Sequence, residues 1–176
     1  DRGRGWAEPG SVPWIPEDMA SASIGQSVVQ ITPLQLARAY AVFANGGWLV
    51  TPHLASGGVD WLAPEHRRRV DLKPSTLQTI REGLRKVVSD GTGFGLNGPG
   101  IPPAAGKTGT AEDSTGGPDH AWFGSYAPYP DGEIVVVAFA QNTPGGGSVH
   151  ALPMAKKVLA KWQSLRTVRP PSELVD

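Results

Sequence analysis

Apolar positions recur at helical spacing in three stretches of the chain. Leu36, Tyr40 and Phe43 form one stripe, with Leu34, Ala37, Ala41 and Ala44 beside it. They predict a helix opening at Thr32-Pro33-Leu34-Gln35, where Thr32 caps, Pro33 suits the first helical position and Gln35 completes a capping box. Asn45-Gly46-Gly47 ends it, since these residues accept positive φ cheaply, and Trp48 to Thr51 reads as a short extended piece stopped by Pro52. Leu77, Ile80, Leu84 and Val87/Val88 predict a second helix from about Ser75 to Val88, stopped by Ser89-Asp90-Gly91. A last helix follows Gly145-Gly146-Gly147, with Leu152, Ala155, Leu159 and Trp162 on one face and Pro153 near its start.

Between the second and last helices the period changes. Ala104 to Ala111, His120 to Ala127 and Glu133 to Ala140 read as strands, joined by a polar Gly-containing connection and by turn residues at 128–132. The expected fold class is therefore α+β, an antiparallel meander flanked by helices. Ile134 to Ala140 is apolar without alternation, so both of its faces should be covered and a strand should lie on each side. The 120–127 strand supplies one neighbour; the other is not evident in the chain. Residues 91–103, with five Gly and three Pro, leave little room for regular structure. Residues 1–23 read as an irregular lead-in, 24–165 as the folded segment and 166–176 as a loose tail.

Composition narrows the class of protein. Gly and Pro make up about 23% of the 176 residues, roughly twice the usual share. Leu, Ile, Val and Phe, at about 22%, stay above the floor for a folded chain. Sixteen basic residues balance sixteen acidic ones, which argues against gripping nucleic acid or an anionic membrane. The absence of Cys excludes disulfides, thiolate metal sites and Cys nucleophiles. The longest clean apolar run, Ile134 to Ala140, is far too short to span a membrane.

Ala104 to Thr110 is the most unusual stretch. Lys107 is the only Lys or Arg between Lys86 and Lys156, and it stands among small residues. A lone cation on such a strand suits close contact with an anion, and Gly106 and Gly109 let another backbone approach. The pattern fits equally a small-residue strand under a helix, with Lys107 reaching out to solvent. A phosphate loop is rejected. Gly100 and Gly106 enclose five residues rather than four, and Thr110 runs into a turn rather than a helix.

Gly106-Lys107-Thr108-Gly109-Thr110 matches the Lys-Thr-Gly strand motif of the penicillin-recognising serine transpeptidases and β-lactamases. Ile24-Gly25-Gln26, Ile31 to Ala37, Ala44-Asn45-Gly46-Gly47, Gly106 to Glu112 and His120-Ala121-Trp122-Phe123 follow in the order found in class B penicillin-binding proteins. Over residues 20–165 the chain resembles the C-terminal half of such a transpeptidase domain, most similar to the elongation (rod-shape) group, with the division group as nearest rival. The fold that the resemblance implies is the penicillin-binding protein/β-lactamase-like one.

The resemblance implies a D,D-transpeptidase that cross-links peptidoglycan stem peptides through a serine acyl-enzyme and is trapped by β-lactams. In the family the serine lies in Ser-x-x-Lys, followed by Ser-x-Asn. Ser23, Ser27, Ser75, Ser114, Ser148 and Ser164 each lack Lys three residues on. Both motifs are expected before Asp1, so this chain would carry one wall of the site without the nucleophile and be inactive alone. Carried over by position, Lys107 would offer its charge to the donor carboxylate. The Thr108 and Thr110 hydroxyls would bind that carboxylate, and the Thr110 N–H would form half of the oxyanion hole. Gly109 would let substrate lie along the strand. Strict alternation sets Lys107 and Gly109 on one face and Thr108 and Thr110 on the other, so both faces must border the cleft.

No cofactor and no metal are expected, since His53 and His150 lack ligand-spaced partners. His120 reads as a rim residue, Trp122 as structural, Glu112-Asp113 as a solvated turn, and His66-Arg67-Arg68-Arg69 as a solvated basic face. The implied partners are stem peptides, β-lactams, the N-terminal half of the same protein and a membrane glycosyltransferase of the elongation machinery, not nucleic acid. The implied location is the extracytoplasmic face of the cytoplasmic membrane, through an N-terminal anchor. Alternatives are a β-lactamase or D,D-carboxypeptidase of the same fold, or a non-catalytic β-lactam sensor or scaffold.

Overall fold

Helix α1 (Pro16–Ser23) opens on a proline, and Asp18 accepts a hydrogen bond from the Ile15 N–H (3.1 Å), closing its first turn. It lies where an irregular lead-in was expected. Two turns are too short to show a sustained period, so its start signals, Pro16-Glu17-Asp18, are the only cue. The computed structural model describes residues 15–26, 29–54, 60, 63–113 and 115–168. Residues 1–14 of the expected lead-in and 169–176 of the expected tail lie outside them.

Helix α2 (Pro33–Ala44) starts at the predicted capping box: the Thr32 hydroxyl accepts from Gln35 N (3.2 Å) and Gln35 Oε1 accepts from Thr32 N (2.8 Å). After it, the Asn45 carboxamide accepts from Trp48 N and donates to Trp48 O, both at 2.8 Å, and turns the chain into β1 (Trp48–Val50). β1 pairs antiparallel with β2 (Arg67–Arg69), Trp48 opposite Arg69. The basic run is thus a strand as well as a surface. Its Arg67 and Arg69 guanidinium carbons sit 4.6 and 5.5 Å from the Trp48 ring centroid. Their stems and charges cover the indole, which is how three consecutive arginines hold an extended ribbon.

Helix α3 (Pro74–Ser89) leads into the Gly- and Pro-rich segment, which is pinned rather than loose. It contains a 3-10 turn at Phe94–Leu96 with Leu96 fully buried. Lys156 donates to the carbonyls of Gly95 and Asn97 (2.7 Å each), and Asn97 Nδ2 donates to Val88 O (2.6 Å). Arg85 donates to Ala104 O (2.8 Å), setting the entry to β3 (Ala105–Ala111).

β3, β4 (His120–Ala127) and β5 (Ile134–Ala140) form the predicted antiparallel meander, with Lys107 opposite Gly124 and Gly124 opposite Val137. Helices cover both faces. Tyr40 and Ala44 of α2 pack with Ala105, Tyr126 and Val135 on one face. On the other, Ala121, Phe123, Val136 and Ala138 meet Leu152, Ala155 and Leu159 of α5 (Ala151–Val168). A short helix α4 (Gly146–Val149) precedes α5, whose first turn accommodates Pro153. Of the two expectations for the apolar strand, one holds: β5 is covered on both faces, but among the described residues it has β4 as its sole strand neighbour and no strand on its other side.

Candidate active site on the outer edge of strand β3

Among the described residues β3 has a strand on one side only, and its chemistry gathers on the other. Antiparallel residues point N–H and C=O to the same side, alternating along the strand. The Thr110 carbonyl accepts from Gln26 Nε2 (3.1 Å), on the side away from β4, so Thr108 and Thr110 turn their backbone groups to the open edge. The Thr110 N–H therefore projects from the edge as well.

The side chains follow the same parity. Lys107, opposite Gly124, belongs to the α2 face, yet its ammonium curls to the edge and donates to Thr108 O (2.8 Å). The Thr108 hydroxyl shares a 2.7 Å hydrogen bond with the Thr92 hydroxyl. Thr110 is exposed on the opposite face, where α4 comes so close that a Cβ on Gly146 would collide with its Oγ1. A Cβ on Gly147 would stand 2.6 Å from Gly109 O, so the two glycines let α4 seat on the backbone of β3. Both faces thus deliver groups to one edge: a cation from one, two hydroxyls from the other, and a backbone donor between them.

Around this edge the remaining candidates take supporting positions. His120 Nδ1 accepts from Asn142 N (3.2 Å), and its ring meets Phe139 edge-on at 5.8 Å. Trp122 packs against the same Phe139 at 4.3 Å, its ring tilted by 43°. Asp113 accepts from the Thr115 N–H (2.9 Å) and hydroxyl (2.8 Å), bonds that hold its carboxyl below the usual range. That is turn chemistry rather than a carboxylate pair. A cavity of about 360 Å³ lies between α3 and the 129–130 turn, lined by Leu77, Arg81 and Tyr129 among others and by no residue of β3. Among the described residues no cluster of three or more His, Asp or Glu side chains is placed to hold a metal.

The penicillin binding protein transpeptidase domain matches residues 5–160 of this sequence. The chain belongs to that family. It is 34% identical over 176 residues to peptidoglycan D,D-transpeptidase MrdA of Haemophilus influenzae, covering 88% of this chain and 27% of the relative. A solved peptidoglycan synthase complex that coordinates polymerization and crosslinking superposes with a TM-score of 0.69 at 41% identity, over 87% of this chain and 27% of that one. The imipenem acyl-enzyme complex of penicillin-binding protein A from M. tuberculosis gives 0.64 at 29% identity, over 84% of this chain and 34% of that one. The chain spans about a quarter of the length of the curated relatives it matches.

The sequence alone points to no role at the site for two residues at the edge of this penicillin-binding protein segment. Thr92 follows a helix stop and reads as loop, yet its hydroxyl reaches Thr108. Gln26 belongs to a motif that marks the family, but its contact with Thr110 spans 84 positions of sequence.

Proposed function

We propose that the chain is one wall of the active site of a class B, elongation-type peptidoglycan D,D-transpeptidase, and that the outer edge of β3 binds the donor peptide. The observation that carries this reading is the convergence of the Lys107 ammonium, the Thr108 and Thr110 hydroxyls and the Thr110 N–H on one strand edge that has no strand partner among the described residues. A peptide carboxylate calls for that cation and those hydroxyls. An extended peptide adds to such an edge through backbone hydrogen bonds.

In this reading a serine from outside these 176 residues attacks the carbonyl of the penultimate D-Ala. The Thr110 N–H, with the serine's own N–H, receives the negative charge that develops on the carbonyl oxygen. The terminal D-Ala leaves, and an acceptor amine then displaces the serine. Lys107 holds the donor carboxylate together with Thr108 and Thr110, while Gly109 leaves the strand flat for the donor to lie along. β-Lactams occupy the same edge and stop at the acyl-enzyme. The likeness to an imipenem acyl-enzyme supports this step, and the likeness to a polymerizing and crosslinking complex supports a glycosyltransferase partner. In this reading the protein acts on peptidoglycan and so lies outside the cytoplasmic membrane. No helix among the described residues is long and apolar enough to cross one.

The test is gel labelling with a fluorescent penicillin. Residues 1–176 alone should give no covalent adduct, because none of the twelve serines in the sequence is followed by Lys three residues on. The same residues joined to a segment carrying Ser-x-x-Lys and Ser-x-Asn should label. A strong signal from residues 1–176 alone would put the nucleophile elsewhere; none from the joined protein would overturn the reading.

A further inference from the structure

Gln26 is held in place before it touches β3. Helix α1 ends in a Schellman motif: Gly25 N donates to Ala22 O (3.0 Å) and Gln26 N to Ser21 O (2.9 Å), with Gly25 at φ +74° in the left-handed region. Gly25 makes the turn possible, and the residue after it is thrust toward the strand. From there the Gln26 carboxamide donates to Thr110 O (3.1 Å) and accepts from Glu112 N (3.4 Å). These partners fix which end of the carboxamide is nitrogen. The pair of bonds flanks Ala111 in the way one residue of a parallel strand would. A single side chain thus acts as a one-residue strand on the open edge of β3.

The position of this cap matters because the donor competes for neighbouring groups. A peptide adding antiparallel at Thr110 accepts from its N–H and donates its own N–H to its C=O. Gln26 leaves the N–H open, takes one of the two lone pairs of the carbonyl and closes the edge at Glu112. We propose that Gln26 is a positioning residue for the donor: it braces the 110–111 peptide so that Thr110 O faces an incoming amide N–H, and it ends the usable edge at Thr110, setting the register in which the donor adds. This rests on the transpeptidase reading of the β3 edge and goes beyond it, because it assigns specificity for a donor amide to a residue outside the strand.

The test compares two β-lactams on the complete protein, in which these residues accompany Ser-x-x-Lys and Ser-x-Asn. Benzylpenicillin carries an acylamino N–H where the donor carries its amide; imipenem has none there. Gln26→Ala removes both bonds. Gln26→Glu keeps an acceptor for the Glu112 N–H but cannot donate to Thr110 O when ionised. In both variants the second-order rate of acylation by benzylpenicillin should fall roughly five- to tenfold, the effect of one lost hydrogen bond. Acylation by imipenem should stay within about twofold. Equal slowing of both drugs would make Gln26 a merely structural residue and overturn the proposal, as would unchanged or faster acylation by benzylpenicillin. Failure of the unsubstituted protein to react with either drug would instead overturn the transpeptidase reading.

Discussion

The Tyr40 ring lies against the backbone of Gly124: a Cβ built on that glycine would stand 2.5 Å from Tyr40 Cζ. Gly124 faces Lys107 across the β3–β4 pair, so one missing side chain seats α2 on the sheet directly behind the candidate site. Gly124→Ala should force the buried ring or the helix to move. Overpacking of this kind costs about 1–3 kcal/mol. A lowered midpoint in urea denaturation is expected, and an unchanged one would mean that α2 sits more loosely than described.

Lys107→Ala should separate catalysis from stability. The side chain is exposed and its ammonium bonds only the next residue's carbonyl among the contacts described, so the fold should lose little. Acylation by penicillin should slow on the order of ten- to hundredfold, the effect of a lost charge-assisted hydrogen bond. Stopped-flow or gel acylation rates for the complete protein decide it; wild-type rates would remove Lys107 from the site.

Thr92→Val tests the hydroxyl pair. When Thr92 donates to Thr108, the Thr108 proton is free to point at a carboxylate, and valine removes that orientation. Acylation should fall by roughly fivefold, about 1 kcal/mol. Thr108→Val in the Thr92→Val background should then cost less than Thr108→Val alone, because the two act as a pair. Additive losses would show independent roles.

Tyr40 should make the fold alkali-sensitive. Burial pushes its phenol from 10.0 up to about 12. Below pH 10 both folded and unfolded states hold the proton and the contribution is intact. As pH rises from 10 toward 12 the unfolded chain releases the proton first, so stability is lost across that window, by roughly 2–3 kcal/mol. Tyr40→Phe should flatten this part of the stability–pH curve, measured by urea denaturation from pH 8 to 12. An equal decline in both proteins would assign the sensitivity to other groups.

These outcomes also mark what the sequence made legible. The α2 capping box, the meander and the doubly covered β5 were readable because each rests on local signals: cap residues, turn residues and an unbroken apolar run. β2 was not, because Arg67 and Arg69 find the ring they cover in Trp48, some twenty positions away. α1 was too short for its period to register. At the site, Lys107 stood out by isolation, while Thr92 and Gln26 acquire meaning only through partners 16 and 84 positions distant. The conflict between alternation and a shared cleft is resolved by length: the Lys107 stem is long enough to carry its charge around the edge.

Along β3 two alternations run in step. The residues whose peptide groups face outward, Thr108 and Thr110, are also those whose hydroxyls lie on the α4 side, and Lys107 and Gly109 reverse both assignments. The strand therefore behaves like a reading frame. Deleting one residue inside Ala105–Ala111 would not shift the chemistry by a step; it would send the hydroxyls to the α2 face and turn the cation's peptide groups to the edge, exchanging every role at once. A substitution can weaken one function of this strand, whereas a single-residue deletion scrambles all of them.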